Sequence, residues 1–139
     1  MSSAPLPTAL ALAALPALGA PLAGGTFAGV ITQKDGQHVA VVLLPAQAED
    51  VAWQAAMDWA TEQGGQLPTR PMAALLFANV KPQLRERWHW TNETLDLGDD
   101  DDDDASYAWI CDFSYGGQSY DLKSYEGCAV AVRCIPLSA

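Results

Sequence analysis

The sequence predicts an α+β domain in which two helices pack against an antiparallel sheet. The predicted elements are two strands, then two helices, then several strands, and the chain has no internal repeat. The helical segments carry apolar residues at intervals of three and four, whereas the last strand alternates between two faces. Strands grouped separately from helices in this way indicate an α+β architecture.

The first two strands are predicted over residues 26–33 and 37–44. The Asp35-Gly36 pair between them is typical of a hairpin and favours a type I′ turn, which needs positive φ at both central residues. From His38 to Leu44 the second strand is almost continuously apolar, so we expect both of its faces to be buried. Pro45 is expected to end it.

The first helix is predicted over residues 50–63. Trp53, Met57 and Ala60 recur at helical spacing on one face. Asp50 is placed to cap the N-terminus, and a Gly-Gly pair beginning at Gly64 would end the helix in the left-handed conformation.

The second helix is predicted over residues 69–79. Thr69 is placed to cap it, and Pro71 fits its first turn, where the missing N–H is not needed. Residues 75–77 supply an apolar face, and Pro82 is expected to mark the end.

The C-terminal half is predicted to be strands joined by loops. We expect Trp90 and Trp109 to be inward-facing anchors, because a buried indole contributes a large apolar area. Arg133 stands in an otherwise apolar strand, so it is either buried and paired with Glu93 or exposed at a sheet edge. The predicted strands cover residues 88–91, 107–115, 118–123 and 127–135, and the two middle ones form a hairpin across Gly116-Gly117.

Residues 1–25 form an apolar segment without a single charge. No basic residue precedes Lys34, so the segment lacks the cationic start of a signal peptide. Its prolines interrupt the run of about 20 apolar residues that a membrane helix needs. We therefore predict an N-terminal arm over residues 1–25 and one domain over residues 26–139. The arm would pack on its own domain or on a neighbouring subunit, and its exposed apolar surface favours the second.

The charge balance argues against a nucleic-acid binder. The net charge is −10, from 17 acidic and 7 basic residues, whereas nucleic-acid binding needs a cationic face. Cys111, Cys128 and Cys134 form no CxxC pair, so we expect no zinc site, and no metal or cofactor elsewhere. The cysteines are either buried thiols or one bridge with one free thiol.

An ordered series of short motifs resembles one known family. The series is Trp53-x3-Met57-x-Trp59-Ala60, Gly64-Gly65-x-Leu67-Pro68-Thr69, Trp88-x-Trp90-Thr91-x-Glu93, Ala108-Trp109 with Phe113, and Ala131-Val132-Arg133-Cys134. It resembles the C-terminal domain family of bacterial collagen-like adhesins, which is also found in phage tail and surface proteins. The resemblance covers residues 26–136.

The resemblance implies a C-type-lectin-like fold, in which two helices and a terminal hairpin frame a loop-rich binding face. Related phage proteins use that face to recognise host receptors. The resemblance also implies a homo-oligomer, with a trimer favoured, in a virion assembled in the bacterial cytoplasm. The alternative location is the extracellular surface of a bacterium.

The aspartate run at residues 99–104 departs from that family. It could be a solvated, self-repelling loop, a weak calcium site or an attractor for a cationic ligand. Calcium needs about six to eight oxygen ligands from a folded loop, and the run lacks a turn glycine. The sugar-binding triplets of C-type lectins, Glu-Pro-Asn and Trp-Asn-Asp, are also absent. The solvated loop is therefore favoured.

Tyrosines and serines are concentrated between residues 106 and 125. Tyrosine offers rigid amphipathic contact and serine adaptable hydrogen bonding, so this composition is typical of a binding surface. Ordinary hairpin composition is the alternative. The predicted ligand-binding residues are Asn92, Tyr107, Trp109, Tyr115, Gln118, Tyr120 and Tyr125.

No catalytic residue is predicted. A nucleophile pair would need a cysteine beside His38 or His89, and no spacing indicates one. Two acids for glycoside hydrolysis cannot be selected among 17 acidic residues. We therefore expect a non-enzymatic protein.

These observations lead to one hypothesis and one alternative. The hypothesis is a ligand-displaying or structural module of a phage or phage-like particle, of the tail-fibre or receptor-binding type. The alternative is a bacterial surface adhesin domain that binds glycans. The expected partners are a host-surface receptor or glycan, and further copies or other virion proteins through residues 1–25. We expect no nucleic acid and no membrane span.

Overall fold

The computed structural model describes residues 9–95 and 107–138. Over these residues two helices pack on a sheet, which confirms the predicted α+β class. Short 3-10 helices lie at Leu12–Ala14 and Lys81–Gln83. The elements are β1 (Leu10–Ala11), β2 (Pro21–Leu22), β3 (Gly25–Thr32), β4 (His38–Val51), α1 (Trp53–Glu62), α2 (Arg70–Val80), β5 (Trp88–Thr94), β6 (Tyr107–Asp112), β7 (Gln118–Leu122) and β8 (Gly127–Ser138).

Strand β8, the last strand of the chain, lies in the middle of the sheet. The strand order is β2-β3-β4-β8-β5-β6-β7, and β1 pairs with β8 beside this path. The sheet is not wholly antiparallel, because β8 runs parallel to β5 and to β1. The expectation of an antiparallel sheet therefore holds for the other neighbouring pairs.

The β3–β4 hairpin is confirmed, but its turn is not of type I′. Gly36 has φ of 86°, whereas Asp35 is not among the residues with positive φ. The Gln33 amide donates to the Gln37 carbonyl at 2.8 Å, which closes a loop of three residues. A three-residue loop needs only one left-handed position, which glycine supplies.

Strand β4 does not end at Pro45. Residues 39–44 are all buried, as predicted, but the strand continues to Val51. Its register with β8 shifts between Leu43 and Gln47. Because a proline cannot donate to a ladder, it is tolerated in a strand at such an irregularity.

Helix α1 begins three residues later than predicted. Asp50 has φ of 54° and belongs to β4, so it cannot cap the helix, and no side chain does. The Trp53 amide instead donates to the Lys123 carbonyl at 3.0 Å. Gly64, with φ of 83°, follows the helix as predicted.

Helix α2 follows its prediction closely. The Thr69 Oγ1 atom accepts a hydrogen bond from the Met72 amide at 3.3 Å, and Pro71 lies in the first turn. Strand β6, by contrast, ends at Asp112 rather than residue 115. The Asp112 carboxylate accepts from the Ser114 amide at 2.8 Å and so begins the turn.

Two faces of the sheet are covered by different parts of the chain. Helix α2 packs on one face, against Val41, Val130 and Val132. Helix α1 packs on the other face, against Trp90 and Ala131. Trp90 is fully buried and its Nε1 donates to the Val51 carbonyl at 2.9 Å, which confirms it as an inward anchor.

The described part of the arm lies on its own domain. Leu10, Leu15 and Leu22 pack against Phe27 and Ile135, on the same face as α1. For residues 9–25 the structure therefore shows the first of the two expected packings. Leu12 and Leu18 stay more than half exposed. Attachment of the arm to a further copy or a particle stays a prediction.

The predicted Arg133–Glu93 pair does not form, because the two side chains lie on opposite faces of the sheet. The Glu93 Oε2 atom accepts from the Arg70 amide at 2.7 Å, at the start of α2. Arg133 Nη1 donates to the Ala23 carbonyl, and the guanidinium also lies close to Gly64. Arg133 therefore links the arm to the end of α1, which neither alternative anticipated. No helix in the described ranges is long and apolar enough to span a membrane.

Candidate functional site

Three aromatic side chains form a row on the outer hairpin of the sheet, and we call Tyr107, Trp109 and Tyr120 the aromatic row. The pairing of β6 with β7 places Trp109 directly opposite Tyr120. The Tyr120 ring centroid lies 5.6 Å from that of Trp109 and 5.7 Å from that of Tyr107, with near-perpendicular planes. Such edge-to-face pairs are favourable for aromatic rings. Tyr120 is 46% exposed, so the row offers aromatic surface to solvent.

Arg70 closes one end of the aromatic row. Its guanidinium carbon lies 3.5 Å from the centroid of the Trp109 ring, within the range of a cation–π contact. Its Nε donates to Gln118 Oε1 at 2.9 Å, and Gln118 Nε2 donates back to the Arg70 carbonyl at 2.8 Å. Arg70 and Gln118 therefore hold each other in one arrangement.

The start of α2 fixes the backbone of Arg70. Thr69 caps the helix, and the Glu93 carboxylate accepts the otherwise unpartnered amide of Arg70. A carboxylate at a helix N-terminus also interacts favourably with the helix dipole. Strand β5, which carries Glu93, thus positions the first turn of α2.

A groove runs between the β3–β4 loop and the first turn of α2. The more open part of the groove has a volume of about 570 Å³ and is lined by residues that include Lys34, Arg70 and Gln118. The adjoining part has a volume of about 460 Å³ and reaches Asn92. Both volumes fall in the range of small-molecule sites, roughly 300–1,000 Å³. Residues common to both parts are Lys34, Pro71 and Glu93.

The two cations of the groove are not neutralised within the described residues. Neither Lys34 nor Arg70 has a carboxylate within 4.0 Å, although both line the groove with Glu93. The ion pairs of the described residues lie elsewhere, at Lys81–Glu86, Arg85–Glu49, Arg87–Glu49 and Arg87–Asp50.

The structure brings together five of the seven predicted site residues. Tyr107, Trp109, Gln118 and Tyr120 lie on the hairpin beside Arg70, and Asn92 lines the groove. Trp109 is only half-buried, so its prediction as an inward anchor was wrong. Its position on the outer hairpin leaves Arg70, rather than the core, to cover its ring.

The other two predicted residues, Tyr115 and Tyr125, are separate from this group. Tyr115 packs edge-on against Trp88 at 6.3 Å, and Tyr125 against Trp90 at 6.1 Å. Trp88 and Trp90 belong to the α1 face. The sequence could not divide the tyrosines in this way, because the division depends on strand register.

Arg70, Lys34 and the role of Glu93 in the groove were missed at the sequence level. Arg70 is distant in sequence from both Trp109 and Gln118, so no local motif reveals their contact. The only local signal was the capped start of α2, which identifies the residue after Thr69 as one with a free backbone amide.

His89 lies between two cysteines, although no sequence spacing indicated it. Cys111 and Cys128 are its register partners on the two neighbouring strands. Burial lowers the pKa of His89 to about 4 and raises the pKa of Cys111 to about 11. A neutral thiol beside a neutral, buried imidazole is not an activated nucleophile pair.

The three cysteines are free, which confirms the thiol alternative over a bridge. Burial also raises the pKa values of Cys128 and Cys134. Within residues 9–95 and 107–138, no group of three or more His, Cys, Asp or Glu side chains could hold a metal ion. The aspartate run at residues 99–104 lies outside the described residues.

Comparisons of the chain with known proteins gave the following result. No protein-family model matches the chain, and no curated protein does.

Proposed function

We propose that the protein is a non-enzymatic binding module with a C-type-lectin-like fold, which recognises a host-surface glycan as part of a phage or phage-like particle. The aromatic row and the adjoining groove form its ligand-binding face. The phage context comes from the resemblance of the motif series, and the choice of face comes from the geometry.

One observation carries the proposal. The partly exposed aromatic row adjoins a groove through Arg70 and Gln118, which contact the row, line the groove and are fixed by mutual hydrogen bonds. Ligand sites typically combine apolar, aromatic walls with a few polar groups held in place. A saccharide suits this arrangement, because its C–H faces pack on an aromatic ring while its hydroxyl groups reach amides and charged groups.

Binding without catalysis is supported by the groups that line the face. Glu93 is committed to the helix N-terminus, and Gln118 and Asn92 do not titrate. The buried His89 and Cys111 lie within the fold rather than in the groove. Of the two described carboxylates that line the groove, Asp35 and Glu93, the second is held at the start of α2, which favours recognition over acid–base catalysis.

A glycan array of bacterial surface saccharides tests the proposal. We expect the purified protein to bind a restricted set of saccharides, and Tyr120→Ala to abolish that binding. Tyr115→Ala is the matched control, because Tyr115 is an even more exposed tyrosine (65%) that lies apart from the aromatic row. Circular dichroism would verify that both variants are folded.

Two outcomes would contradict the proposal. If no saccharide binds at concentrations that saturate known lectins, the glycan assignment fails. If Tyr115→Ala abolishes binding while Tyr120→Ala does not, the binding face is the opposite one.

A further inference from the structure

We propose that Arg70 and Lys34 form a subsite for the carboxylate of an acidic saccharide. This inference rests on the proposed function and names the ligand class of that same face. It makes a separate claim, because a glycan-binding face could serve neutral sugars alone.

The first argument is that Arg70 is held more firmly than a surface arginine requires. An arginine side chain loses much of its rotamer freedom when it is fixed. Here the Trp109 ring, the Gln118 amide and the capped start of α2 all fix it. The conformational entropy of the Arg70 side chain is therefore already lost in the folded protein. A ligand that binds the guanidinium does not have to order that side chain.

The second argument is that the terminal nitrogens of Arg70 remain available. Its hydrogen bonds within the described residues use the backbone amide, the carbonyl and Nε. No protein acceptor in those residues takes Nη1 or Nη2. A guanidinium presents its donors as a planar fork that matches the two oxygens of a carboxylate.

The third argument concerns Glu93, the carboxylate that could have neutralised Arg70. Its Oε2 lies 2.7 Å from the Arg70 backbone amide, and the carboxylate forms no ion pair with the guanidinium. Lys34 lines the same part of the groove and also lacks an ion pair there. Among the described residues, neither cation of the groove forms an ion pair, although Asp35 and Glu93 also line it, in a chain whose net charge is −10.

The overall charge restricts the ligand to a weakly charged one. A polyanionic chain would be repelled by the acidic protein, whereas one carboxylate meets the local cations at modest cost. Asp35 and Glu93 also line the groove and disfavour a second anionic group. The neighbouring Tyr120 offers the exposed ring on which the sugar itself can pack.

The test compares two saccharides that differ only in the carboxylate. The full-length, isotope-labelled protein is titrated by NMR with methyl β-glucuronide and with methyl β-glucoside. We expect the glucuronide to bind on the order of ten-fold more tightly, which corresponds to about 1.4 kcal/mol. Chemical-shift changes should centre on Arg70, Lys34 and the side-chain amide of Gln118.

Variants assign the preference to the subsite. Arg70→Gln should reduce the preference for the glucuronide, measured as the ratio of the two affinities of the same variant, to near unity. Lys34→Ala, at an exposed loop, should weaken glucuronide binding without any risk to the fold. Arg85→Gln is the matched control, because Arg85 is an arginine paired with Glu49 away from the groove, and it should retain the full preference.

Several outcomes would overturn the inference. Equal affinities with shifts at Tyr120 would leave the glycan-binding face intact and remove the carboxylate subsite. Tighter binding of methyl glucoside 6-sulfate than of the glucuronide would replace carboxylate by sulfate. If neither monosaccharide binds, the subsite is refuted, and the glycan array then decides separately whether the face binds glycans at all.

Discussion

Trp90 and Trp109 belong to the same sheet, yet Trp90 is fully buried and Trp109 is only half-buried. Trp90 lies on β5, next to the central β8, where α1 covers one face and its indole N–H finds the Val51 carbonyl. Trp109 lies on β6, next to the edge strand β7, and its half-buried ring contacts the Arg70 guanidinium and the Tyr120 ring. Burial in this fold thus declines from the centre of the sheet towards the outer hairpin.

The comparison teaches that residue type does not decide which aromatic groups form the core. A buried indole stabilises the fold, whereas the half-buried indole of Trp109, which contacts Arg70 and Tyr120, belongs to the proposed binding face. We therefore expect stability to depend on the β5 layer and ligand binding to depend on the β6–β7 layer. The following experiments test this division.

The largest effect is expected for Trp90→Ala. Truncation of a fully buried aromatic residue costs on the order of 3–5 kcal/mol. Urea unfolding followed by circular dichroism measures the change in the free energy of unfolding. A loss below about 1 kcal/mol would place Trp90 outside the core and end the division between the two layers.

A comparably large effect is expected when the pH falls, because His89 lies in the same strand as Trp90. The pKa of His89 is lowered from 6.5 to about 4, mainly by burial; the hydrogen bond to the Arg87 carbonyl and the charge of Asp112 oppose this shift, and the charges of Arg85 and Arg87 add to it. Between these pH values the unfolded chain binds more protons than the folded one. Stability is therefore full above pH 6.5 and falls as the pH drops towards 4, by roughly 3 kcal/mol at about 1.4 kcal/mol for each pKa unit.

The His89→Phe variant isolates this contribution from that of the carboxylates. Its free energy of unfolding should fall less between pH 7 and pH 4 than that of the wild type. His38→Gln is the matched control at an exposed histidine. Identical slopes for all three proteins would show that His89 is not the sensitive group.

A smaller effect on stability is expected for Trp109→Ala. The variant loses part of a half-buried ring and a cation–π contact, which together amount to roughly 1–2 kcal/mol. It should nevertheless lose most of the saccharide binding measured on the array. A loss of stability as large as that of Trp90→Ala would make the outer hairpin part of the core.

The smallest effect is expected for the aspartate run. Replacement of residues 99–104 by a Gly/Ser linker should leave the melting temperature unchanged or slightly raised, because six like charges repel one another. Differential scanning calorimetry with and without calcium provides the measurement. A calcium-dependent rise in the wild type that vanishes in the variant would instead establish a metal site.

Local signals predicted those parts of the fold that local interactions determine. Thr69 and Pro71 marked the start of α2, and the apolar run of residues 39–44 marked a strand buried on both faces. The prediction that Asp50 caps α1 was wrong. A capping residue lies directly before the helix, whereas the pairing of β4 with β8 keeps Asp50 in the strand.

The proposed binding face was only partly predictable, because it depends on contacts between distant segments. Composition identified Tyr107, Trp109 and Tyr120, and register alone placed them on one face. Arg70 reaches Trp109 across a long stretch of chain, and Tyr125 turns to Trp90 on the opposite side. Contacts between segments so far apart in the chain leave no local signal in a single sequence.

The pairing of β1 with β8 also determines the order in which the molecule can be completed. Leu10 of β1 pairs with Leu137 of β8. Strand β1, which is synthesised first, therefore cannot join the sheet until β8 has been synthesised. Contacts between such distant positions form slowly, because a large loop must close before they are made. During synthesis, the cover over the apolar surface of Phe27 and Val42 stays incomplete until β8 supplies Ile135 and Leu137. The nascent chain therefore passes through a stage in which a chaperone could bind that surface.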